Sequence, residues 1–397
     1  MEYKISNRMK DMKGSAIREI FKVAGDPSYI SLAGGNPAPE LFPSSALAGI
    51  AAELLENEPV LSLQYGVTEG YKPLREAIRA RLMRIENIGT PDDDVLIVSG
   101  GQQAIDLTTK CLINEGDTVI VEEPSFIGAL NTFRSYGAKL AGVAMDNEGM
   151  KPEDLERAIA ENPNAKIIYT IPTFQNPMGV TMTIERRKAV YEIAKKHGLI
   201  ILEDNPYGEL TFDGTKVPTI KSMDTDGVVV YCGSFSKILA PGLRVGFVCG
   251  PAALLQKLAV AKQGSDVHTP MLTQLLAHEF MKQYDIDSLI VEMRNLYRHK
   301  CQVMLDAIEQ YFPAGVTHTT PNGGLFIWCD LGEGVDTQKL AALATERKVV
   351  YVPGATFMTD MSKPCSGLRL NFSTMPDARI VEGIRILGEV FHDALKK

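Results

Sequence analysis

The regular alternation of short apolar runs with helical patterns, between residues 95 and 250, is the feature that most constrains the fold. Each apolar run is nearly free of polar alternation, as expected of strands that are covered on both faces. The segments between the runs carry apolar residues three and four positions apart, which is the spacing of helices. This order predicts an α/β fold with a mainly parallel sheet and helices on both faces. The predicted strands are 95–98, 118–121, 166–169, 199–202, 228–231 and 244–248, and the predicted covering helices are 102–113, 152–159 and 184–197.

The character of the sequence changes after residue 285. A long helical pattern at 286–311 leads into an apolar segment at 323–330, a helical pattern at 337–347, short strands and a final helix from Pro376. This mixture is typical of a smaller α+β domain. A chain of 397 residues is also too long for one compact core. We therefore expect a large domain at 45–285 and a small domain formed by 286–397 together with the N-terminal segment 1–44.

Charge and composition exclude several kinds of partner. The chain has 41 Lys and Arg residues against 49 Asp and Glu, a formal net charge of −8, and no dense basic block, so we do not expect it to bind nucleic acid. No stretch stays uncharged long enough to span a bilayer. Met1 is followed by charged and polar residues rather than an apolar targeting run. We expect a soluble, cytoplasmic protein without a membrane partner.

Cysteine and histidine usage gives no support for a metal site. The six cysteines include no C-x-x-C pair, which argues against a disulfide framework and against a zinc site. The six histidines form no H-E-x-x-H motif and no close pair. We therefore expect no bound metal.

The segment GSFSKILAPGLRVG, residues 233–246, is the most informative motif. It follows the predicted strand 228–231, so Lys237 should lie at the carboxyl end of a strand, where open α/β sheets bind their ligands. The hydroxyls of Ser234 and Ser236 and the guanidinium of Arg244 can bind a phosphate dianion beside the Lys237 amine. A phosphate site beside a nucleophilic amine is what pyridoxal 5′-phosphate (PLP) requires. An isolated lysine in such a segment would be a solvated loop residue, but the surrounding pattern favours the functional interpretation.

Polar residues that follow two other predicted strands can serve the ring of that cofactor. Asp204 follows strand 199–202, and a buried carboxylate there needs a cationic or hydrogen-bonding partner to stay charged. A protonated pyridine nitrogen would be such a partner, and its charge would make the ring an electron sink. Tyr207 and Asn176, the latter in TFQNPMG, can each hydrogen-bond the 3′ oxygen of the ring. The Asn-Pro sequence alone would indicate only a turn.

A turn of small residues joins strand 95–98 to the next helix. The backbone N–H groups of Gly100, Gly101 and Gln102 can approach an anion at the start of that helix and form a second wall of the phosphate site. An ordinary glycine-rich turn would have the same composition, and the G-x-G-x-x-G spacing of a dinucleotide site is lacking. Phe126 follows strand 118–121 and can stack on the pyridine face, although an aromatic residue there is also typical of a core.

Taken together, these motifs resemble those of the fold-type I PLP-dependent transferases, specifically the class I and II aminotransferases. The motifs SGGQQ, NPMG, EDNPY and GSFSK followed by PGLRVG occur in the order of that family and cover most of the chain. Two more, PNGGLFIW at 321–328 and GLRLNFS at 367–373, extend the match. The segments SAIREIFK and SLAGGNPAPELFP resemble the branch of kynurenine, α-aminoadipate and related aromatic or broad-specificity aminotransferases.

The resemblance implies a role for each matching cofactor residue. Lys237 would be the Schiff-base lysine, Asp204 the partner of the pyridinium nitrogen, and Asn176 and Tyr207 the ligands of the 3′ oxygen. Phe126 departs from the many relatives that have tyrosine as the stacking ring, which puts any role of that hydroxyl in doubt. The phosphate would be held by Ser234, Arg244, Gly101 and Gln102.

The resemblance also implies how substrates bind and how subunits associate. Arg369 would bind the α-carboxylate of the substrate, and Gly35 would line the substrate pocket. Arg18 is the candidate for a distal substrate carboxylate; otherwise it is an exposed helix arginine. Tyr65 would reach the cofactor phosphate of the neighbouring subunit, which makes a homodimer the expected active unit.

The expected reaction is a ping-pong transamination between an L-amino acid and a 2-oxo acid such as 2-oxoglutarate. The Lys237 amine would act as the base, with its pKa lowered by like-charge repulsion from Arg244, Arg369 and the pyridinium. A C–S β-lyase or a decarboxylase would use the same residues. A PLP-binding transcriptional regulator would need a DNA-binding segment before the aminotransferase-like pattern, which begins by Ser15. A nicotinamide dehydrogenase would need the glycine fingerprint.

Overall fold

The structure, a computed structural model, describes residues 3–10 and 26–395. In chain order its strands are β1 (Ile30–Ser31), β2 (Asp93–Val98), β3 (Thr118–Glu123), β4 (Lys139–Asp146), β5 (Gly149–Met150), β6 (Ala165–Thr170), β7 (Ile200–Asp204), β8 (Val229–Ser234), β9 (Gly246–Pro251), β10 (Thr317–His318), β11 (Phe326–Asp330), β12 (Val349–Val350), β13 (Val352–Pro353) and β14 (Gly367–Asn371).

The α-helices surround these strands. In chain order they are α1 (Asn7–Lys10), α2 (Ser44–Asn57), α3 (Pro59–Leu63), α4 (Lys72–Glu86), α5 (Gly101–Leu112), α6 (Ile127–Ser135), α7 (Pro152–Glu161), α8 (Ile184–His197), α9 (Ala252–Gln263), α10 (Met271–Gln283), α11 (Ile286–Tyr311), α12 (Thr337–Glu346) and α13 (Asp377–Leu395). Short 3-10 turns occur at Pro39–Leu41, Lys221–Met223, Pro241–Leu243 and Gly354–Phe357. None of the helices in the described part of the chain is long and apolar enough to cross a membrane.

The largest sheet has eight strands in the order β2-β9-β8-β7-β6-β3-β4-β5. Strand β9 runs antiparallel to both of its neighbours, the short β5 runs antiparallel to β4, and every other adjacent pair is parallel. Successive residues of β6, Ile167 and Ile168, belong to two different hydrophobic clusters, because the sheet is covered on both faces. The predicted α/β fold with a mainly parallel sheet is confirmed.

The apolar runs locate the six main strands to within a few residues, but they do not reveal β4. Its sequence KLAGVAMD lies beside the short β5 at the edge of the sheet, and only Val143 among its eight residues is fully buried. An edge strand with so little buried surface has no continuous apolar run. The helical pattern at 286–311 has the bounds of α11, and that at 184–197 has the bounds of α8.

A second sheet, in the C-terminal part of the chain, has four antiparallel strands in the order β10-β11-β14-β13. The N-terminal segment joins this region, because β1 pairs in parallel with β12 and the backbone N–H of Asn371 donates to the carbonyl of Leu32 at 2.8 Å. Residues that follow β1 thereby reach the carboxyl edge of the large sheet.

A buried charge cluster lies at the large sheet, far from its carboxyl edge. The Lys221 ammonium lies 2.7 Å from a carboxylate oxygen of Asp93 and 2.8 Å from one of Asp224. Asp93 begins β2, and Asp224 accepts the backbone N–H of Val229 at the start of β8. Because β2 and β8 point in the same direction, their starts lie at the same edge of the sheet. This cluster is therefore at the edge opposite to the one where β8 ends.

Candidate active site

A cavity of about 400 Å³ opens at the carboxyl edge of the large sheet. The structure brings most of the predicted site residues into it: Gly35, Gly101, Gln102, Phe126, Asn176, Asp204, Tyr207, Ser234, Ser236, Lys237, Arg244 and Arg369. Sequence reasoning does not single out the rest of the lining, which is Asn36, Ile105, Ile127, Gly128, Ile171, Pro206 and Pro241. Tyr65 lies outside the cavity lining and is 82% exposed, and Arg18 lies outside the described residues.

One wall of the cavity is the start of α5. Gly100 caps this helix at a φ of 83°, and a Cβ at that position would collide with the guanidinium of Arg244, so only glycine fits. Arg244 in turn donates to the carbonyl of Ser99 at 2.9 Å. The side-chain amide of Gln102 donates to Gly128 and to a hydroxyl on α6, so the donor it retains for an anion is its backbone N–H. The N-terminus of a helix beside a guanidinium is a site for a phosphate-sized anion.

Asp204, at the end of β7, provides a buried carboxylate on the floor of the cavity. Its Oδ2 accepts a hydrogen bond of 2.8 Å from the hydroxyl of Tyr169, which is also fully buried. Burial raises the pKa of Asp204 to about 6, and the hydrogen bond from Tyr169 partly offsets that rise. Sequence reasoning places Tyr169 in a strand and gives it no role at the site. A clue is nevertheless present, because a tyrosine buried in a strand needs a partner for its hydroxyl.

A second buried carboxylate, Glu122 at the end of β3, holds the turn that carries Asn176. Its oxygens accept the backbone N–H of Ile171 at 3.1 Å and the side-chain amide of Gln175 at 3.0 Å. The side-chain Oε1 of Gln175 accepts the backbone N–H of Met178 at 2.8 Å, which closes the turn. Burial raises the pKa of Glu122 to about 7. Sequence reasoning misses Glu122, because nothing in EEPSF reveals which acid points inward.

Arg369 lies on β14 with its side chain buried between two aromatic rings. Its guanidinium carbon is 4.2 Å from the ring centre of Phe326 and 5.0 Å from that of Phe357. It donates to Asn176 Oδ1 at 2.7 Å and to the carbonyl of Ala33 at 2.6 Å, while its Nε has no partner among the described residues. Burial lowers the pKa of Arg369 to about 10. A buried cation held by neutral acceptors is suited to receive a carboxylate.

Lys237 follows β8, and its amine lies 2.6 Å from the carbonyl oxygen of Gly35, to which it donates. Burial, followed by the charges of Arg369 and Arg244, lowers the pKa of Lys237 to about 8. The direction agrees with the sequence-based expectation, but burial is a larger cause than the repulsion on which that expectation rests. An amine with this pKa is partly neutral near physiological pH and can therefore act as a nucleophile or a base.

The charges around the cavity are suited to one kind of cofactor. Arg244 and the Gly100 turn match a phosphate, Asp204 matches a protonated ring nitrogen, and the Lys237 amine matches an aldehyde. Among the described residues, Arg369 makes no ion pair, which leaves it for an anionic substrate group. The residues present thus fit PLP.

The family described as aminotransferase class I and II matches residues 27–387. The chain belongs to this family. It is a PLP-dependent aminotransferase of fold type I, as the sequence motifs predict.

Named relatives match this aminotransferase along nearly its whole length. It is 40% identical to aromatic-amino-acid aminotransferase 1 of Thermococcus litoralis, over 99% of this chain and 95% of that protein. It is 38% identical to the 2-aminoadipate transaminase of Thermus thermophilus, over 97% and 95%. The solved kynurenine aminotransferase of Pyrococcus horikoshii, in complex with PMP, superposes with a TM-score of 0.95 at 39% identity, over 99% of this chain and 98% of that one.

The buried Asp204 carboxylate should make the apoprotein less stable as the pH rises. Because its pKa in the folded chain is about 6 rather than 3.8, the folded apoprotein retains this proton to a higher pH than the unfolded chain does. The free energy of unfolding of the apoprotein therefore falls between about pH 4 and pH 6, and above that range this group lowers it no further. Asp204→Asn removes the charge and keeps an acceptor for Tyr169. We predict that it stabilises the apoprotein by on the order of 2–3 kcal/mol at pH 8 and by little at pH 4.

Denaturant unfolding of both apoproteins across this pH range measures the difference. A gain of equal size at pH 4 and pH 8 would show that the carboxylate charge is not its cause.

Proposed function

We propose that this aminotransferase transfers the amino group of an aromatic, aminoadipate-type or wider range of L-amino acids to a 2-oxo acid such as 2-oxoglutarate, in a ping-pong reaction. One observation carries the substrate class. The described cations that line the cavity are Lys237, Arg244 and Arg369, and each has a group of the cofactor or of the substrate backbone to bind. The remaining lining includes the apolar side chains of Ile105 and Ile171. Such a lining favours an aromatic or aliphatic substrate side chain.

We assign the cofactor contacts as follows. When bound, PLP supplies an aldehyde that joins the amine and a ring that accepts electrons from the substrate Cα. The phosphate is bound by Arg244, the backbone N–H groups at the start of α5, and the hydroxyls of Ser234 and Ser236, which already lie 2.9 Å apart. Asp204 holds the proton on the ring nitrogen, Asn176 and Tyr207 bind the 3′ oxygen, and Phe126 packs on the ring face.

We assign the substrate steps to Arg369 and Lys237. Arg369 binds the α-carboxylate and thereby fixes which substituent of Cα faces the lysine. Lys237 would hold the cofactor through its amine, and the same amine, once free, would serve as the base that accepts the substrate Cα proton and then as the acid that returns it. Its lowered pKa supports this role, since a neutral amine is needed to accept that proton. Both half-reactions use the same residues because the oxo acid enters the same cavity.

We propose a homodimer as the active unit. The segment that contains α3 and Tyr65 exposes a row of apolar side chains, with Val60 75%, Leu63 70%, Tyr65 82% and Val67 60% accessible. Exposed apolar side chains this close together in the chain are suited to bury against another protein. Tyr65 lies outside the cavity of its own subunit, which supports a contact with the phosphate of the neighbouring subunit.

We propose a cytoplasmic location and the domain division predicted from the sequence. All six cysteines are free and four are buried, which suits a reducing compartment. The strands of the eight-stranded sheet all lie between residues 93 and 251, which supports a large domain at 45–285. The four-stranded sheet lies between 317 and 371, and the pairing of β1 with β12 supports a small domain of 1–44 and 286–397.

A screen of amino donors with 2-oxoglutarate tests the substrate class. We expect phenylalanine, tyrosine, kynurenine and leucine to be donors without any contribution from Arg18, whereas aminoadipate needs a cation for its distal carboxylate. Arg18→Ala should therefore lower kcat/KM for aminoadipate by about ten- to a hundredfold, the scale of one lost charge-assisted contact, and leave the value for phenylalanine within about twofold. Equal losses on both substrates would remove this role for Arg18. Transfer from none of the apolar donors would overturn the substrate class.

Tyr65 and the oligomeric state can be tested together. Sedimentation should give a mass of about twice the 43.4 kDa of the chain. Tyr65→Phe should preserve that mass but raise the PLP dissociation constant by about tenfold, because one hydrogen bond to a charged phosphate is lost. Tyr284→Phe, at another exposed tyrosine, is the matched control and should change neither quantity. A monomeric protein, or an unchanged affinity in Tyr65→Phe, would contradict the proposal.

A further inference from the structure

An ion pair beneath the start of α5, between a buried ammonium and a partly exposed carboxylate, has no part in the contacts assigned above. Lys262, near the end of α9, has no exposed surface, and its ammonium lies 2.8 Å from both carboxylate oxygens of Asp266. It also donates to Gln103 Oε1 at 2.7 Å and to the hydroxyl of Thr269 at 3.1 Å. An ammonium is retained in the interior only where its donors are satisfied in this way.

Every polar group of Ser99, the residue before the glycine turn, is bound by the pair or by a residue in contact with this network. The Ser99 hydroxyl lies 2.8 Å from Asp266 Oδ2 and 3.1 Å from the Thr269 hydroxyl. Its backbone N–H donates to Gln103 Oε1 at 2.7 Å, the same atom that accepts from Lys262. Its carbonyl accepts from Arg244 at 2.9 Å. One network therefore joins the helix start to the guanidinium on the other side of the phosphate site.

The glycine turn needs such external support. Gly100 and Gly101 have no side chains with which to fix their own conformation, and glycine loses more conformational freedom on ordering than any other residue. An anion site at a helix start depends on the direction of the backbone N–H groups. Gln103 extends the support into the first turn of α5, because its amide donates to Asp266 Oδ2 at 2.8 Å.

We propose that Lys262 and Asp266 are positioning residues for the cofactor phosphate, which act through Ser99 to hold the N–H groups of Gly100 and Gly101 and the guanidinium of Arg244 in their binding geometry. This inference deepens the proposed function and rests on its phosphate site. The pair touches neither the reacting atoms nor the phosphate itself. Its effect should therefore be specific to ligands that carry the phosphate group.

A comparison of two ligands separates this role from a general contribution to folding. Pyridoxal has the ring and aldehyde of PLP but lacks the phosphate, so the ratio of the two dissociation constants reports the phosphate site alone. Lys262→Met should weaken PLP binding to the apoprotein by on the order of ten- to a hundredfold, the scale seen when outer partners of a binding group are removed. Pyridoxal binding should change by less than about threefold, which is within the range of an indirect structural effect.

Lys221→Met is the matched control. Lys221 is also buried and paired with two carboxylates, but at the opposite edge of the sheet. Both variants should lower the unfolding midpoint of the apoprotein, since each removes a buried cation from its carboxylate partners. Only Lys262→Met should change the ratio of PLP to pyridoxal affinity. Equal ratios in the two variants would overturn the inference.

Two further variants keep the test decisive. Ser99→Ala removes only the hydroxyl that joins the turn to Asp266. It should lower the ratio of PLP affinity to pyridoxal affinity severalfold, and it still tests the inference if Lys262→Met fails to fold. An unchanged ratio in Ser99→Ala would overturn the inference. Arg244→Met tests the phosphate site on which the inference rests. If Arg244→Met leaves the ratio of PLP affinity to pyridoxal affinity unchanged, the proposed phosphate site is wrong. If Arg244→Met lowers this ratio and the variants of Lys262 and Ser99 do not, the positioning role of the pair is wrong.

Discussion

The separation of opposite charges at the carboxyl edge of the parallel sheet is the constraint on which the rest of the site depends. Lys237, Arg244, Arg369 and Asp204 are all brought to one cavity, yet none of these four forms an ion pair with another described residue. Neutral carbonyls, an amide and a phenol hold them instead. Asp204 and Arg369 are buried without a counter-charge, which is costly to the apoprotein. All four charges are groups that an anionic, aldehyde-bearing cofactor and a carboxylate substrate would complement.

The scaffold binds three other buried charges with partners from the chain itself. Lys221 and Lys262 have almost no exposed surface, and each ammonium is bound by carboxylate oxygens at 2.7–2.8 Å. Glu122, although its pKa is raised to about 7, is surrounded by three donors. The charged residues therefore fall into two groups. Those with charged or hydrogen-bonding partners in the chain stabilise its loops, and those without an ion-pair partner remain available to ligands.

Much of this arrangement follows from the amino-acid sequence, for a definable reason. Strands that are covered on both faces must be continuously apolar, so their ends are visible in the sequence, and in a parallel sheet those ends meet at one edge. This is why the sequence alone predicts that Asn176, Asp204 and Lys237 lie near each other. The supporting residues are not visible in the same way. Tyr169, Glu122 and Lys262 act through contacts with residues 35, 53 and 159 positions away, and their neighbours in the sequence do not indicate which of them turn inward.

The central claim is that the amine of Lys237 is the one group of the chain that becomes covalently joined to the cofactor. The most direct measurement is borohydride reduction of the PLP-loaded protein, followed by mass spectrometry of its peptides. We expect a phosphopyridoxyl group on Lys237 and, in Lys237→Ala, none on any lysine and no turnover. Modification of another lysine in the unaltered protein, or turnover in Lys237→Ala, would contradict it.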